Sequence, residues 1–187
     1  MPRSRQHAGG CPLIVVSVET IAGALTACFS ECGLVRLDFP NDAVATTTER
    51  PPPNLFIWAQ LTSEAIHSVL DGKEPRAAPP LDLRAATSFR RRVWTALRQI
   101  PIGSVKTYSE VASAIGSPAA VRAVGGACSA NPVPLFIPCH RVVASGGNLG
   151  GFSGGLDWKR RLLAVEGTMV ANSLDPGAQS EMIFRRV

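Results

Sequence analysis

Apolar positions divide the chain into short extended runs followed by helices. Leu13–Val18, Ala24–Ser30 and Leu34–Phe39 are brief runs of strand type, and only Glu31-Cys32-Gly33 separates the last two, a hairpin-type link. Pro51-Pro52-Pro53 punctuates the chain. Leu55, Trp58, Leu61, Ala65 and Val69 then recur at helical spacing through Leu55–Leu70. Asp71-Gly72-Lys73-Glu74-Pro75, continuing to Pro79-Pro80, reads as a linker or an extended crossing segment.

The second half patterns as helices. Ser88 is placed to cap a helix carrying Phe89, Val93, Trp94, Leu97 and Ile100, stopped by Pro101 and Gly103. Thr107-Tyr108-Ser109-Glu110 has the T-x-x-E form of a capping box ahead of Val111, Ala112 and Ile115, and Gly116 ends that helix. Ser117-Pro118 restarts one, Ser as N-cap and Pro at the first helical position, running over Ala119–Ala130. Two short helices about a Gly-bearing turn make a helix-turn-helix. A last helix, Leu156–Glu166, is expected to bury Trp158, Leu162 and Val165 before Gly167. The fold class expected is α+β. A small N-terminal α/β domain spans 1–87, a mostly helical C-terminal domain with the helix-turn-helix spans 88–170, and a mobile tail follows over 171–187.

Composition narrows the function classes. At 187 residues the chain has material for a real core, and five scattered cysteines do not make a disulfide scaffold. No apolar run approaches the roughly 18 residues that span a bilayer, so a soluble, intracellular, reduced protein is expected. Residues 1–87 hold seven basic against nine acidic side chains, whereas 88–187 hold twelve against five. Sixteen of the nineteen basic residues are Arg, the side chain suited to phosphate contacts. Only the second half is thus expected to meet a polyanion, although a compositional bias toward Arg gives the same count.

The chemistry also falls in the second half. The helix Ala119–Ala130 has one charge, Arg122, and otherwise small side chains with Gly125 and Gly126 at its centre. A major-groove reader needs several long polar side chains. Small residues instead allow close backbone approach, either to a minor groove or within a packed interior. Cys139 is followed by His140 and Arg141, a possible base and a cation that favour thiolate. Neighbours on a regular strand point to opposite faces, so a Cys139–His140 partnership needs a turn or a bridging water. A buried structural cysteine is the other explanation. Glu166 sits at a helix C-terminus, where the macrodipole disfavours a carboxylate, and an imidazole N–H is a natural compensating partner. Cys–His–Glu then has the form of nucleophile, base and orienting acid. Between them Gly146–Gly155 is a Gly-rich loop without phosphate-loop order, either a linker or a pocket wall.

The order of these motifs is specific. Arg122-Ala123-Val124-Gly125, Asn131-Pro132, Pro138-Cys139-His140-Arg141-Val142 and the Gly-rich loop follow one another from about Phe89 to Gly167. In this the stretch resembles the active-site domain of O6-alkylguanine-DNA alkyltransferases. The resemblance implies a stoichiometric repair protein that flips an O6-alkylated guanine from duplex DNA and keeps the alkyl group on its own cysteine. Cys139 would be the acceptor, His140 its base through a water, and Glu166 the group orienting the imidazole. Tyr108 would donate a proton toward the leaving guanine, and Asn131 would tie the recognition helix to the active-site segment. Arg122 would enter the base stack, with Ala123, Gly125, Gly126, Ala127 and Ser129 facing the minor groove. Pro134 would pack on the alkyl group, Val142 would present backbone to the guanine and Ser153 would hold its O6. Gly150, Phe152 and Lys159 would complete the pocket. The implied partner is double-stranded DNA of any sequence, bound by a monomer able to cluster on it. No cofactor, metal or membrane is implied. The location is cytoplasmic in a bacterium and nuclear in a eukaryote.

Some residues depart from the family pattern. Phe152 stands where many relatives carry Tyr. Cys128 and Ser129 replace a Met or Gly and a polar or basic residue, and Ser129 is expected to weaken phosphate contact. In the first half, Cys28-x3-Cys32 with Cys11 and His67 has spacing compatible with zinc, a pattern also common by chance. Arg90-Arg91-Arg92 reads as a solvated helix start adding to the positive field. Two other classes remain open. A non-catalytic, damage-sensing helix-turn-helix binder would leave the Cys–His–Glu series idle, and a cysteine hydrolase would leave the Arg122 helix idle.

Overall fold

The computed structural model describes residues 13–40 and 53–168. Expectations for Cys11, Pro51-Pro52 and the tail over 171–187 lie outside these residues. Three strands, β1 (Ile14–Val18), β2 (Leu25–Ser30) and β3 (Gly33–Asp38), form an antiparallel sheet in that order. Glu31-Cys32 makes the hairpin turn, and Gly33 opens β3 at φ +142°. A side chain there would collide, because a Cβ would lie 2.1 Å from the Pro80 carbonyl oxygen.

That close approach closes the free edge of β3. The Leu34 N–H donates to Pro80 O at 2.8 Å, and the Asp82 N–H returns a bond to Leu34 O at 2.9 Å. The Pro-rich stretch is therefore a crossing segment laid along the sheet, which removes an edge that would template pairing with other chains. Farther along the same edge, the Leu37 N–H donates to Pro132 O at 2.8 Å, a direct tie to the second half. The helix α1 (Pro53–Leu70) covers the sheet with Leu55, Ile66 and Val69 buried.

The helix α2 (Ser88–Leu97) is capped by Thr87, whose hydroxyl accepts the Arg90 N–H at 3.3 Å. The expected cap, Ser88, is instead the first helical residue. Both hydroxyl residues suit a cap, and the extended backbone falls at Thr87. The capping box forms as expected. The Thr107 hydroxyl accepts the Glu110 N–H at 3.2 Å, and the Glu110 carboxylate accepts the Thr107 N–H at 2.6 Å, starting α3 (Tyr108–Ala114). Gly116, at φ +69°, turns the chain. A 3₁₀ turn, Pro118–Ala120, then leads into α4 (Val121–Ser129), so the second helix is shorter than expected and Ser117 makes no side-chain cap bond. Two-residue strands β4 (Lys106–Thr107) and β5 (Val142–Val143) pair in parallel, bringing the start of α3 beside the segment that follows Cys139.

The last helix, α5 (Leu156–Val165), corrects an expectation. Lys159, Leu162 and Leu163 are buried, while Val165 is 40% exposed and Trp158 half-buried. The inward face is Lys159, Leu162, Leu163 and Glu166, an i, i+3, i+4, i+7 set. Two of its four members are charged, so apolar periodicity alone turns the helix toward the wrong neighbour. One apolar cluster joins β1–β3, α1, α2, α3, α4 and Cys139, so both halves share a core.

Replacing Thr107 by Ala removes the capping hydroxyl from the helix that begins with Tyr108. The expected cost is about 1 kcal/mol of folding stability, read from the urea midpoint at unchanged slope.

Candidate active site

Cys139 opens a 3₁₀ turn, Cys139–Arg141, and is 3% exposed. The turn supplies what a strand could not, a way for consecutive residues to serve one site. Upstream, Leu135 holds a left-handed φ of +75° while 4% exposed. A non-glycine residue held there costs on the order of 1–3 kcal/mol, so the surrounding packing must impose the bend that delivers Cys139. Asn131 supplies part of it. Its amide donates to Cys139 Sγ at 3.0 Å and to Ile137 O at 2.8 Å, while its Oδ1 accepts the Val133 N–H at 3.1 Å.

His140 is fully buried, and its Nε2 lies 2.9 Å from Glu166 Oε1. With Nε2 donating to the carboxylate, Nδ1 is the free acceptor nitrogen, and it has no protein hydrogen-bond partner. Glu166 caps the C-terminus of α5, as the sequence places it, and its compensation exceeds one imidazole. Arg141 also grips it, Nε at 3.0 Å from Oε2 and Nη2 at 2.9 Å from Oε1, while Nη1 donates to Ile100 O at 2.6 Å. Burial works to raise the Glu166 carboxyl, but the bonds from His140 and Arg141 prevail and hold it below the usual range. Burial pulls the His140 imidazole down against the pull of Glu166, so the neutral base is favoured. Sequence reading gave Arg141 only a local effect on the thiol; its grip on Glu166 links residues 25 apart in the chain.

Burial also raises the Cys139 thiol, opposed by the Asn131 bond and the charge of Lys159. Cys128, on α4, is pushed up to about 12 by burial and by Cys139. Lys159 has no exposed surface and is brought down to about 8 by that burial. Its ammonium donates to the carbonyls of Val142 and Leu149, both at 2.5 Å, and of Gly151 at 3.3 Å. Three protons thus meet three carbonyls, and the Gly-rich loop is clipped to β5. Tyr108 lies under that loop, its phenol raised chiefly by burial. Gly150 must be glycine, since a Cβ would lie 2.8 Å from Tyr108 Oη and its φ is +67°.

Pro134 is buried and Ser153 exposed, and both line a cavity of about 140 Å³ with Asn131, Arg36 and Asp38. Phe152 packs edge-on to Phe39 at 5.5 Å and to His140 at 6.4 Å, an apolar setting that a ring without a hydroxyl suits. On α4, Arg122, Ala123, Gly126 and Ser129 are exposed. Gly125 is half-buried toward Tyr108. Ala127 differs from the minor-groove expectation for its side chain. It is 1% exposed, and its carbonyl accepts the Trp94 indole N–H at 2.9 Å. Among the described residues no group of three or more His, Cys, Asp or Glu is placed to hold a metal. Cys28 is buried, Cys32 exposed, and His67 bonds Ser63 O on its own helix.

A helix-turn-helix packed on a buried cysteine, with a hydrogen-bonded histidine–carboxylate pair directly after it, is the arrangement of a DNA-binding fold built around a cysteine. Comparison with known proteins gives its family. Residues 88–168 match the family model for the DNA-binding domain of 6-O-methylguanine DNA methyltransferase. A methylated-DNA–protein-cysteine methyltransferase of Mycolicibacterium paratuberculosis is 52% identical over 86 residues, 46% of this chain and 52% of that protein. The Mycobacterium tuberculosis protein of the same name is 50% identical over 116 residues, 62% of this chain and 68% of that protein. The chain therefore spans about half the length of the first relative and two thirds of the second. The crystal structure of Mycobacterium tuberculosis OGT in complex with DNA is 34% identical with a TM-score of 0.68, covering 82% of this chain and 92% of that one. The chain belongs to the methylated-DNA–protein-cysteine methyltransferase family.

The buried relay sets a pH dependence. Glu166 is depressed in the fold, so its contribution is present above the unfolded value near 4.5 and lost as pH falls through its folded value. His140 is depressed too, so the unfolded chain takes its proton first and stability also declines below about 6.5. Thermal midpoints are expected to fall steadily from pH 7 to pH 4. Glu166→Gln leaves Arg141 without its buried counter-charge, with only the exposed Glu74 at 3.8 Å, and is expected to cost about 3–5 kcal/mol in urea. Adding Arg141→Met should recover part of that loss.

Proposed function

We propose that this protein repairs DNA by direct reversal, moving an alkyl group from O6 of guanine to Cys139 Sγ once per molecule. The observation that carries this reading is the Asn131-held Cys139, with the His140–Glu166 pair beside it, immediately behind an exposed helix of small side chains. A base stacked in a duplex hides the reactive carbon, so the nucleotide must leave the stack. Arg122, exposed on α4, is the side chain suited to fill the space it leaves. Ala123, Gly126 and Ser129 let that helix lie close to the backbone, and none of them reads a base edge. Damage of any sequence context is then accepted.

The chemistry balances without a cofactor. His140 takes the Cys139 proton through its Nδ1 side, and Glu166 and Arg141 hold the ring and the charge it acquires. The thiolate sulfur attacks the alkyl carbon, the carbon–oxygen bond breaks, and its electron pair stays with the guanine. Tyr108, kept protonated by burial, donates a proton to the leaving base and regains one as the proton held by His140 is released to solvent, so guanine leaves neutral. A thioether is left, which water and thiols do not reverse. The Gly-rich loop, Pro134 and Ser153 enclose the base and its alkyl group. We propose double-stranded DNA as the partner and a monomer as the acting form.

Mass analysis after mixing with a duplex holding one O6-methylguanine tests the reading. One methyl on the Cys139 peptide is expected, saturating at one per protein and absent in Cys139→Ser. Duplex binding without mass gain would leave a damage sensor, and multiple turnover without DNA would leave a hydrolase. Arg122→Ala should retain methyl transfer from free O6-alkylguanine base while losing most transfer from the duplex.

A further inference from the structure

We propose that the turn after α1 is a positioning element of the relay, with Gly72 and Glu74 as the residues through which the first half sets the geometry of Glu166 and His140. The inference deepens the reading above and rests on it. The helix α1 ends in a Schellman arrangement: the Gly72 N–H donates to Val69 O at 3.0 Å and the Lys73 N–H to Ser68 O at 2.9 Å. This cap puts Gly72 at φ +71°, the left-handed conformation that glycine takes without cost. The bare α-carbon is pressed on the end of α5. A Cβ there would lie 2.1 Å from Val165 O and 2.9 Å from Val165 C, and 3.6 Å from the Glu166 nitrogen. The atoms it would meet are backbone, which cannot swing aside. Any side chain at residue 72 must therefore move the last turn of α5, which carries Glu166.

The same turn reaches the other grip on that carboxylate. Glu74 Oε1 lies 3.8 Å from Arg141 Nη1, the guanidinium that holds Glu166. Glu74 is largely exposed, so the pair contributes little stability by itself. Its place is at the open end of a chain of contacts running Glu74, Arg141, Glu166, His140. Backbone contact at Gly72 and charge contact at Glu74 thus converge on one carboxylate from one four-residue turn. A shift of the imidazole by about 1 Å in such a relay costs on the order of a hundredfold in rate.

The test compares Gly72→Ala, Glu74→Gln and a control, Gly116→Ala. Gly116 has the same left-handed backbone, φ +69°, with nothing within 4 Å of its Cβ position. The control therefore carries the backbone strain of Gly72→Ala without its contact, and it is read for the His140 midpoint alone, because Gly116 lies in the turn of the helix-turn-helix. For Gly72→Ala and Glu74→Gln two quantities are read in the full chain: the His140 titration midpoint by NMR, and the single-turnover transfer rate at fixed duplex affinity. The chain has three histidines, and the His140 signal is the one lost in His140→Gln. Glu166 raises the His140 midpoint, so a displaced carboxylate lowers it. Gly72→Ala is expected to lower the midpoint by about half a pH unit or more and the rate by roughly tenfold or more. Glu74→Gln, a surface change that does not threaten folding, should move both in the same direction by less. Midpoints equal to the control in both variants would overturn the proposal, as would a rate loss with no midpoint change. If the parent protein transfers no alkyl group, the function reading fails, and the midpoint still decides whether the turn positions the relay.

Discussion

Everything in the site answers to a carboxylate shut away from solvent. Glu166 stands at the negative end of a helix dipole with its side chain fully covered, the arrangement in which an anion is least tolerated. Three donors from two neighbouring residues keep it ionised, and those residues directly follow Cys139. Satisfying one buried charge therefore fixes Cys139, His140 and the end of α5 relative to one another. The 3₁₀ turn at Cys139–Arg141 is the local geometry that lets His140 and Arg141 face the same partner.

The remaining groups of the pocket are held near neutrality. Burial raises Cys139, Cys128 and Tyr108 and lowers His140, which in each case favours the uncharged form. Lys159 is the buried cation beside them, and its protons are absorbed by the carbonyls of Val142, Leu149 and Gly151. A pocket arranged this way suits a neutral ligand, since Cys139, Cys128, Tyr108 and His140 bring no opposed charges whose water must be stripped. Beside His140 the Glu166–Arg141 pair is the other buried charge, and it is internally compensated.

Much of this was legible in the chain. The capping box at Thr107, the Gly116 turn, the helix end at Glu166 and the need for a turn at Cys139 all follow from local rules acting over a few residues. The N-cap falls at Thr87, one position before Ser88, because two adjacent hydroxyl residues obey the same rule. The buried face of α5 departs from apolar periodicity because its inward set includes Lys159 and Glu166, charges that tertiary partners neutralise. Ala127 follows the family's motif position outward in the sequence, whereas in the fold it is 1% exposed. Hardest to foresee were contacts between the halves: Leu37 on Pro132, Phe39 on Phe152, and Gly72 on Val165. Their partners lie far apart in sequence, and backbone contacts leave only a small residue as their trace.

The Gly-rich loop gives that last point a wider meaning. Gly150 lies where a Cβ would strike the Tyr108 hydroxyl, and Gly154 where a Cβ would lie 2.4 Å from the ring of Phe39. One ring comes from the helical half and the other follows the last strand of the sheet. The loop is thus the negative of two aromatic side chains, recorded in the sequence as missing carbon atoms. Simple composition in this stretch encodes a shape: room made at Phe39 would open position 154, whereas position 150 keeps its glycine through its φ of +67° whatever replaces Tyr108.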